Sequence, residues 1–240
     1  MESKISLIMP TYNRAGNFLK FAIESVLKQT YNGFELIIVD DASTDKTKEV
    51  VMSFGNPKIV YHQTDHNHGE YWSTNYGMSM SKGKYVTWIH SDDLLPINSL
   101  ELRLKELEQN SGLDFVHGDI EKIDENGNVI EKIEAIETNS QEVFQKYIKN
   151  LDEGNMVYLI HHTTIMMRRS FFYKVGPFDS SLPFAGDIDW MVRALRIGNY
   201  KKIPSVLYLY RKHASTRRVV DIKQGVDKVT IHKNIAERYV

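Results

Sequence analysis

Apolar residues fall along the chain in short blocks separated by polar, helix-periodic stretches. ISLIMP (5–10) is a continuous apolar run stopped by proline, the pattern of a buried strand. FLKFAIESVLKQ then sets Phe18, Phe21 or Ala22, and Ser25 or Val26 at helical spacing. FELIIVDD (34–41) reads as a second buried strand that ends in acid. The helix DKTKEVVMSF follows, with Ser43 or Thr44 as its expected N-cap. KIVYHQ (58–63) predicts a third strand, GEYWSTNYGMSMSKG (69–83) a helix closed at Gly83, and YVTWIH (85–90) a fourth strand. Leu100, Leu104 and Leu107 mark an amphipathic helix, and DFVHGD (114–119) another strand. Strands that are apolar throughout and alternate with helices imply a mostly parallel sheet covered on both faces.

The second half is less regular. DIEKIDENGNVIEKI predicts a hairpin turning at Glu125–Asn128. Residues 141–151 read as a helix, IHHTTIMMRRSFFYKVG mixes strand and helix signals, and DIDWMVRALRIGN is helical. YKKIPSVLYLYRKH is extended, and Ile222, Val226 and Val229 pattern a C-terminal helix over 222–239. The methionines at 156, 166, 167 and 191 read as core filling. No repeat, low-complexity tract or linker breaks the sequence.

Composition narrows the function classes. A hydrophobic share of 42% in 240 residues supports a substantial core, and 25% charged residues is ordinary for a globular protein. A net charge of −1 gives no global field to attract nucleic acid or an anionic membrane. The absence of cysteine excludes disulfides and thiolate zinc sites and is compatible with a reducing compartment. No signal-peptide pattern opens the sequence, because Lys4 is followed by only a short apolar run closed by Pro10. No apolar stretch approaches the ~20 residues that span a bilayer.

The chemistry gathers at the strand ends, where open α/β sheets bind ligands. Thr11, Tyr12 and Asn13 follow the first strand, Asp40 and Asp41 the second, Asp92 and Asp93 the fourth. None of these turns carries G-x-G-x-x-G or a P-loop. A bound pyrophosphate would need another positive charge, which a divalent cation held by Asp93 would supply. Two bland readings stand beside this one. Ser91, Asp92 and Asp93 would cap the helix after Pro96, and Asp40 and Asp41 would form an Asx turn.

Taken together, SLIMPTYNR, LKFAIESVLKQTYNGFELIIVDDASTDKT and NYGMSMSKGKYVTWIHSDDLLP closely resemble glycosyltransferase family 2, of GT-A fold. The resemblance is dense over residues 4–110 and returns at MMRRSFFYKVGPFD and FAGDIDWMVRALRIGNYKKIPSVLYLYRKHAST. It implies a Rossmann-like, mostly parallel sheet in one domain over 1–216. About 1–118 would form the nucleotide-sugar half and 119–216 a smaller acceptor-side half, with 217–240 a C-terminal helical segment. The implied reaction is metal-dependent transfer of a sugar, with inversion, from a nucleotide diphosphate donor (a UDP-sugar by family habit) to a hydroxyl acceptor. Polysaccharide or glycan synthesis is the implied setting, in the cytoplasm or peripherally at the inner membrane face.

The resemblance also assigns roles. Pro10, Thr11 and Tyr12 pack on the nucleobase and ribose, and Asp40 accepts a hydrogen bond from the base. Asp92 contacts ribose or sugar, and Asp93 holds Mn²⁺ or Mg²⁺. His213 approaches the metal or diphosphate. Read from the residues themselves, Arg211 and Lys212 offer charge to the phosphates with Arg217 and Arg218 close behind, against a plain solvated basic loop. Asp187 is the catalytic base, against a reading from spacing alone in which it caps the helix. Asp189 is structural or supports Asp187 from behind, and Trp190 floors the acceptor pocket or packs in the core. Where family members often carry an acid, this chain has His90. A strand-end core role for it is favoured over sugar contact or metal ligation.

Smaller features complete the reading. His62, His66 and His68 with Asp65 suggest zinc, but a solvent-exposed loop is the better expectation without cysteine. His161 and His162 precede the expected acceptor side, as acceptor contacts or as ordinary buried histidines. The C-terminal helix carries Lys223, Lys228, Lys233 and Arg238 and is expected to pack on the domain rather than on a membrane. The rivals to a family 2 transferase are a nucleotidyltransferase on a related fold and a non-catalytic nucleotide-sugar-binding module. The first lacks its glycine- and lysine-rich phosphate loop, since PTYNRAGN stands there.

Overall fold

The computed structural model describes residues 4–136, 140–152, 160–182, 184–214 and 228–239. Its frame is an eight-stranded sheet. The central strand β1 (Ile5–Thr11) pairs in parallel with β2 (Phe34–Asp40) on one side and β4 (Tyr85–Trp88) on the other, and β2 pairs in parallel with β3 (Ile59–Gln63). Beyond β4 lies the antiparallel β7 (Met166–Arg168), which leads to β5 (Phe115–Ile123). β5 pairs in parallel with β8 (Tyr200–Arg211) along its length and in antiparallel with β6 (Val129–Ile133) near its end.

Every residue of β1 is buried, as a strand covered on both faces requires. Ile5, Leu7 and Met9 face one layer, with Leu19 and Ala22 of α1 (Asn17–Leu27) and Leu100 and Leu104 of α4 (Ser99–Gln109). Ile8 faces the other, with Met78 of α3 (Glu70–Met80) and Trp190 of α7 (Gly186–Ile197). This period-2 division is what a one-residue slip in register would destroy. The remaining helices are α2 (Thr47–Met52), α5 (Ser140–Asp152), α6 (Arg169–Val175) and α8 (Lys228–Glu237). Helix α8 packs against α5 and buries Ile235 and Ala236 in the same cluster as Ile148. Its apolar residues are thus used on the domain, as expected. Residues 222–227 of the expected helix, with Lys223, lie outside the described residues. Among the described residues no helix is long and apolar enough to cross a membrane.

The strand and helix expectations hold, with local corrections. The hairpin turns as expected: Asp124 N–H donates to the Asn128 carbonyl, 2.9 Å, and Gly127 N–H to that of Asp124, 3.1 Å. His162–Thr164 form a single 3-10 turn before β7. Met166, Met167 and Met191 are core, and Trp190 is fully buried, its Nε1 donating to the Gly176 carbonyl, 3.0 Å. Met156 lies outside the described residues. Neither Ser43 nor Thr44 caps α2, because both are used in lacing two loops together. Ser43 Oγ accepts from Asn13 N–H, 2.8 Å, and Thr44 N–H donates to Asn13 Oδ1, 2.9 Å. Asn13 tolerates the left-handed backbone this needs, with φ 50°. The amide of Thr47 is served by Asp45 Oδ1, 3.0 Å.

Gly83 marks where α3 must turn under the sheet. A Cβ there would stand 2.6 Å from the Ser6 nitrogen and 2.8 Å from the Ile5 carbonyl carbon. Backbone in the central strand has little room to retreat, so Gly83→Ala is expected to destabilise the chain by about 1–3 kcal/mol. Urea unfolding followed by circular dichroism reads this directly. A midpoint equal to wild type would show that β1 yields.

Candidate functional site

The carboxyl ends of β1, β2 and β4 open on one cavity of about 280 Å³, room for a diphosphate and part of a sugar. Pro10, Thr11 and Tyr12 form one wall. Tyr12 is 47% exposed, so its ring offers a face on which a base can stack. The turn after β4 supplies Ser91 and Asp92, and Arg14, Glu70, His90 and Arg211 add charge.

In each acidic pair one residue, Asp41 or Asp92, lines the cavity and the other does not. Asp41 lines the cavity, while Asp40 is fully buried. Asp40 Oδ1 accepts from Ser43 N–H, 2.9 Å, and Oδ2 from the Tyr61 hydroxyl, 2.5 Å. Asp40, expected to read a nucleobase, has both oxygens engaged and forms the Asx-type turn of the bland reading. Asp41 clamps the loop before α3, accepting from His68 N–H at 2.9 Å and Gly69 N–H at 2.7 Å.

The second pair divides the same way. Asp93 is 1% exposed, accepting from the Tyr208 hydroxyl, 2.7 Å, and Arg211 N–H, 2.7 Å. Asp92 reaches the wall, with Oδ2 3.0 Å from His213 Nε2 and 3.3 Å from Arg14 Nη2. Neither caps α4, whose N-cap Asn98 makes no side-chain cap bond. Asp93, expected to hold the metal, accepts from two donors of β8, while Asp92 lines the cavity. Burial and the adjacent Asp92 push the Asp93 carboxyl up. Burial also pushes Asp92 up, but the His213 hydrogen bond and the Arg14 charge outweigh it and hold Asp92 down. The two carboxylates are thus shifted in opposite directions.

A carboxylate and an imidazole 3.0 Å apart fit a small divalent ion that keeps water or phosphate oxygens as its other ligands. Asp92 and His213 are the residues that would hold it. Arg211 is near as expected, yet its guanidinium is spent on the carbonyls of Asp92, Asp124 and Glu125 at 2.8–3.0 Å. It is a buried clamp rather than part of a solvated basic loop. Arg217 and Arg218 lie outside the described residues.

His90 is not a core residue. It lines the cavity with Nε2 3.0 Å from Glu70 Oε1 and Nδ1 3.4 Å from Asp93 Oδ2. Burial lowers its basicity, but Glu70 and Asp93 outweigh that and raise it well above the ordinary imidazole range. The two carboxylates explain why a cation sits where an acid was expected.

Asp187 stands in the first turn of α7, beyond the His90 side of the cavity. It does not cap the helix, whose N-cap is Ala185 at φ 64°. Its Oδ1 accepts from the Tyr71 hydroxyl, 3.0 Å, and its Oδ2 lies 3.2 Å from His162 Nδ1. Burial lowers His162 below its ordinary range, so a neutral ring protonated at Nδ1 meets the carboxylate. Asp189 is structural, bonded to Arg193 Nε at 3.0 Å and to the Tyr239 hydroxyl at 2.8 Å. Sequence reading missed Arg14, Tyr71 and Glu70. Arg14 stood in PTYNR, and the other two open α3, but periodicity does not show what a helix start faces.

The profile described as glycosyl transferase family 2 matches residues 6–176. A Rickettsia typhi protein, uncharacterized glycosyltransferase RT0329, is 33% identical over 87% of this chain and 64% of its own length. An Escherichia coli protein named UDP-Glc:alpha-D-GlcNAc-diphosphoundecaprenol beta-1,3-glucosyltransferase WfgD is 29% identical over 67% of this chain and 61% of its own. Among the first curated relatives matched, the chain spans between 31% and 64% of their lengths. Among solved structures, S. aureus TarS 1–349 with UDP-GlcNAc aligns at TM-score 0.72 and 19% identity, covering 95% of this chain and 66% of that one. The mannosyltransferase PcManGT from Pyrobaculum calidifontis, with GDP-Man and Mn²⁺, aligns at 0.70 and 17%, covering all of this chain and 66% of that one. The fold is that of the GT-A glycosyltransferases.

Proposed function

The chain belongs to glycosyl transferase family 2, and on that premise we propose that it moves a sugar from a nucleotide diphosphate, a UDP-sugar by preference, to an acceptor hydroxyl with inversion. The observation that carries this reading is Asp92 on the cavity wall, within 3.3 Å of both His213 and Arg14. A carboxylate and an imidazole so placed suit a divalent ion, and the neighbouring guanidinium suits the diphosphate beside it. The exposed Tyr12 ring and the wall from Pro10 to Tyr12 receive base and ribose. When bound, a divalent ion at Asp92 and His213 would neutralise charge on the diphosphate. Arg14, whose head stands 3.3 Å from the Asp92 carboxylate, attends the same phosphates.

In the reaction the acceptor oxygen forms a bond to the anomeric carbon as the carbon–phosphate oxygen bond breaks. The electron pair leaves with the nucleoside diphosphate. The acceptor proton passes to Asp187, whose carboxylate is held by Tyr71 and His162 with one oxygen on each. One direct displacement inverts the anomeric centre. UDP in the TarS complex and in the E. coli relative's name supports the uracil preference, and Mn²⁺ in the PcManGT complex supports the ion. A single domain over 1–216 with its acceptor half after residue 118 is part of the same reading, since Asp187 and Asp92 come from the two halves.

The test is a screen of UDP-sugars with Mn²⁺ against saccharide acceptors, followed by NMR of the product. UDP release with an inverted anomeric signal is expected. Retention of configuration would overturn the one-step mechanism. Metal-dependent UDP binding without turnover on any acceptor would favour a non-catalytic binding module.

A further inference from the structure

We propose that Asp65, His66 and His68 form a binding site for a divalent transition-metal cation of the zinc class, separate from the Asp92–His213 pair. They are, among the described residues, the one group of three ligand-type side chains whose donor atoms lie within 4.8 Å of one another. His66 Nδ1 stands 2.9 Å and His68 Nε2 3.4 Å from the same Asp65 oxygen. Ligand atoms about 2.0–2.1 Å from a tetrahedral zinc are about 3.3 Å apart. The two carboxylate–imidazole separations bracket that value, and all three donor atoms lie within 4.8 Å of one another.

The donor set selects the cation. Two imidazoles and one carboxylate suit Zn²⁺, Co²⁺ or Ni²⁺, whereas Mg²⁺ prefers oxygen ligands throughout. Three protein ligands leave a position open for water. The side chains of Asp65 and His66 are 84% and 65% exposed, so an ion reaches them without any rearrangement.

The ordinary alternative is a loose surface ion pair, worth little and poorly ordered. The loop here is not loose. Asp41 clamps the amides of His68 and Gly69, and the Thr64 hydroxyl donates to the His66 carbonyl, 2.8 Å. The His68 ring stacks on Trp72 at 3.9 Å and 13°, and Trp72 stacks in turn on Tyr76 at 5.0 Å and 8°. His62, grouped with these histidines by sequence, turns away to the Tyr76 hydroxyl, 3.0 Å. One ligand is thus braced by an aromatic stack and the backbone that carries all three is tied down. Asn67 and Gly69, interleaved with the ligands, line the nucleotide cavity, so an ion here would pin the cavity rim. The inference does not depend on the transferase reading.

Titration of Co²⁺ into the metal-stripped Asp92→Asn chain, followed by visible absorption, isolates this site. One equivalent is expected to give a four- or five-coordinate band that Zn²⁺ displaces. His66→Ala, an exposed position that leaves the core untouched, should weaken Co²⁺ binding at least tenfold. Asp65→Asn, which keeps the shape of the loop, should do the same. Absence of the band at one equivalent, or a band unchanged in both variants, would overturn the site.

Discussion

Asp187→Asn is expected to abolish sugar transfer while leaving UDP binding at the wild-type level. Asparagine keeps the shape and still accepts the Tyr71 hydrogen bond, but its amide takes no proton from the acceptor. General-base loss costs about 10²–10⁴-fold in rate, and a neutral amide beside His162 adds no compensating base. UDP binding should be spared because Asp187 is absent from the residues lining the cavity. The measurement is the initial rate of UDP release, paired with calorimetric titration of UDP. A rate within twofold of wild type would remove Asp187 from the reaction and shift the base to Glu70. That carboxylate lines the cavity, and its ordinary acidity is raised in strength by His90 against the effect of burial.

The second large effect separates the two members of the acidic pair after β4. Asp92→Asn should lose Mn²⁺-dependent UDP binding by about 100-fold, in line with loss of a metal-facing ligand, while melting close to wild type. Asp93→Ala should behave in the opposite sense. It leaves the Tyr208 hydroxyl and the Arg211 amide buried without their acceptor, at about 1–3 kcal/mol for each orphaned group. Its thermal midpoint falls, and whatever binding it loses follows from loosening β8, which also carries Arg211 to the cavity. Calorimetry with and without Mn²⁺, beside thermal melts of both variants, decides. Asp93→Ala that melts normally yet loses Mn²⁺ dependence, with Asp92→Asn unaffected, would restore the metal to Asp93.

These contrasts show where the sequence ran short at the site. Both acidic pairs were visible at strand ends, and the segments carrying Asp187 and His213 were visible too. Which carboxylate of each pair reaches the cavity was not, because each pair is two identical residues in series and only the turn after the strand distinguishes them. Family likeness gave the base to Asp40, ribose or sugar to Asp92 and the metal to Asp93, and the structure buries Asp40 and Asp93 while Asp92 lines the cavity. His90 illustrates a second limit. A histidine after an apolar strand reads as core until Glu70, distant in sequence, is seen 3.0 Å from it. Arg14 had no visible partner in the sequence, since its contact with Asp92 closes only when β1 and β4 lie side by side.

By itself the sequence determined the order and type of the elements, the two-faced parallel sheet and the family. Those follow from local periodicity and from runs such as ISLIMP and FELIIVDD, whose burial on both faces leaves no other home for them. Only the tertiary structure decided which charges meet. Asp92 meets His213 across 121 residues and Asp187 meets Tyr71 across 116. Such pairings depend on strand register and on the turn that aims each side chain, and a linear pattern of apolar and polar positions carries neither.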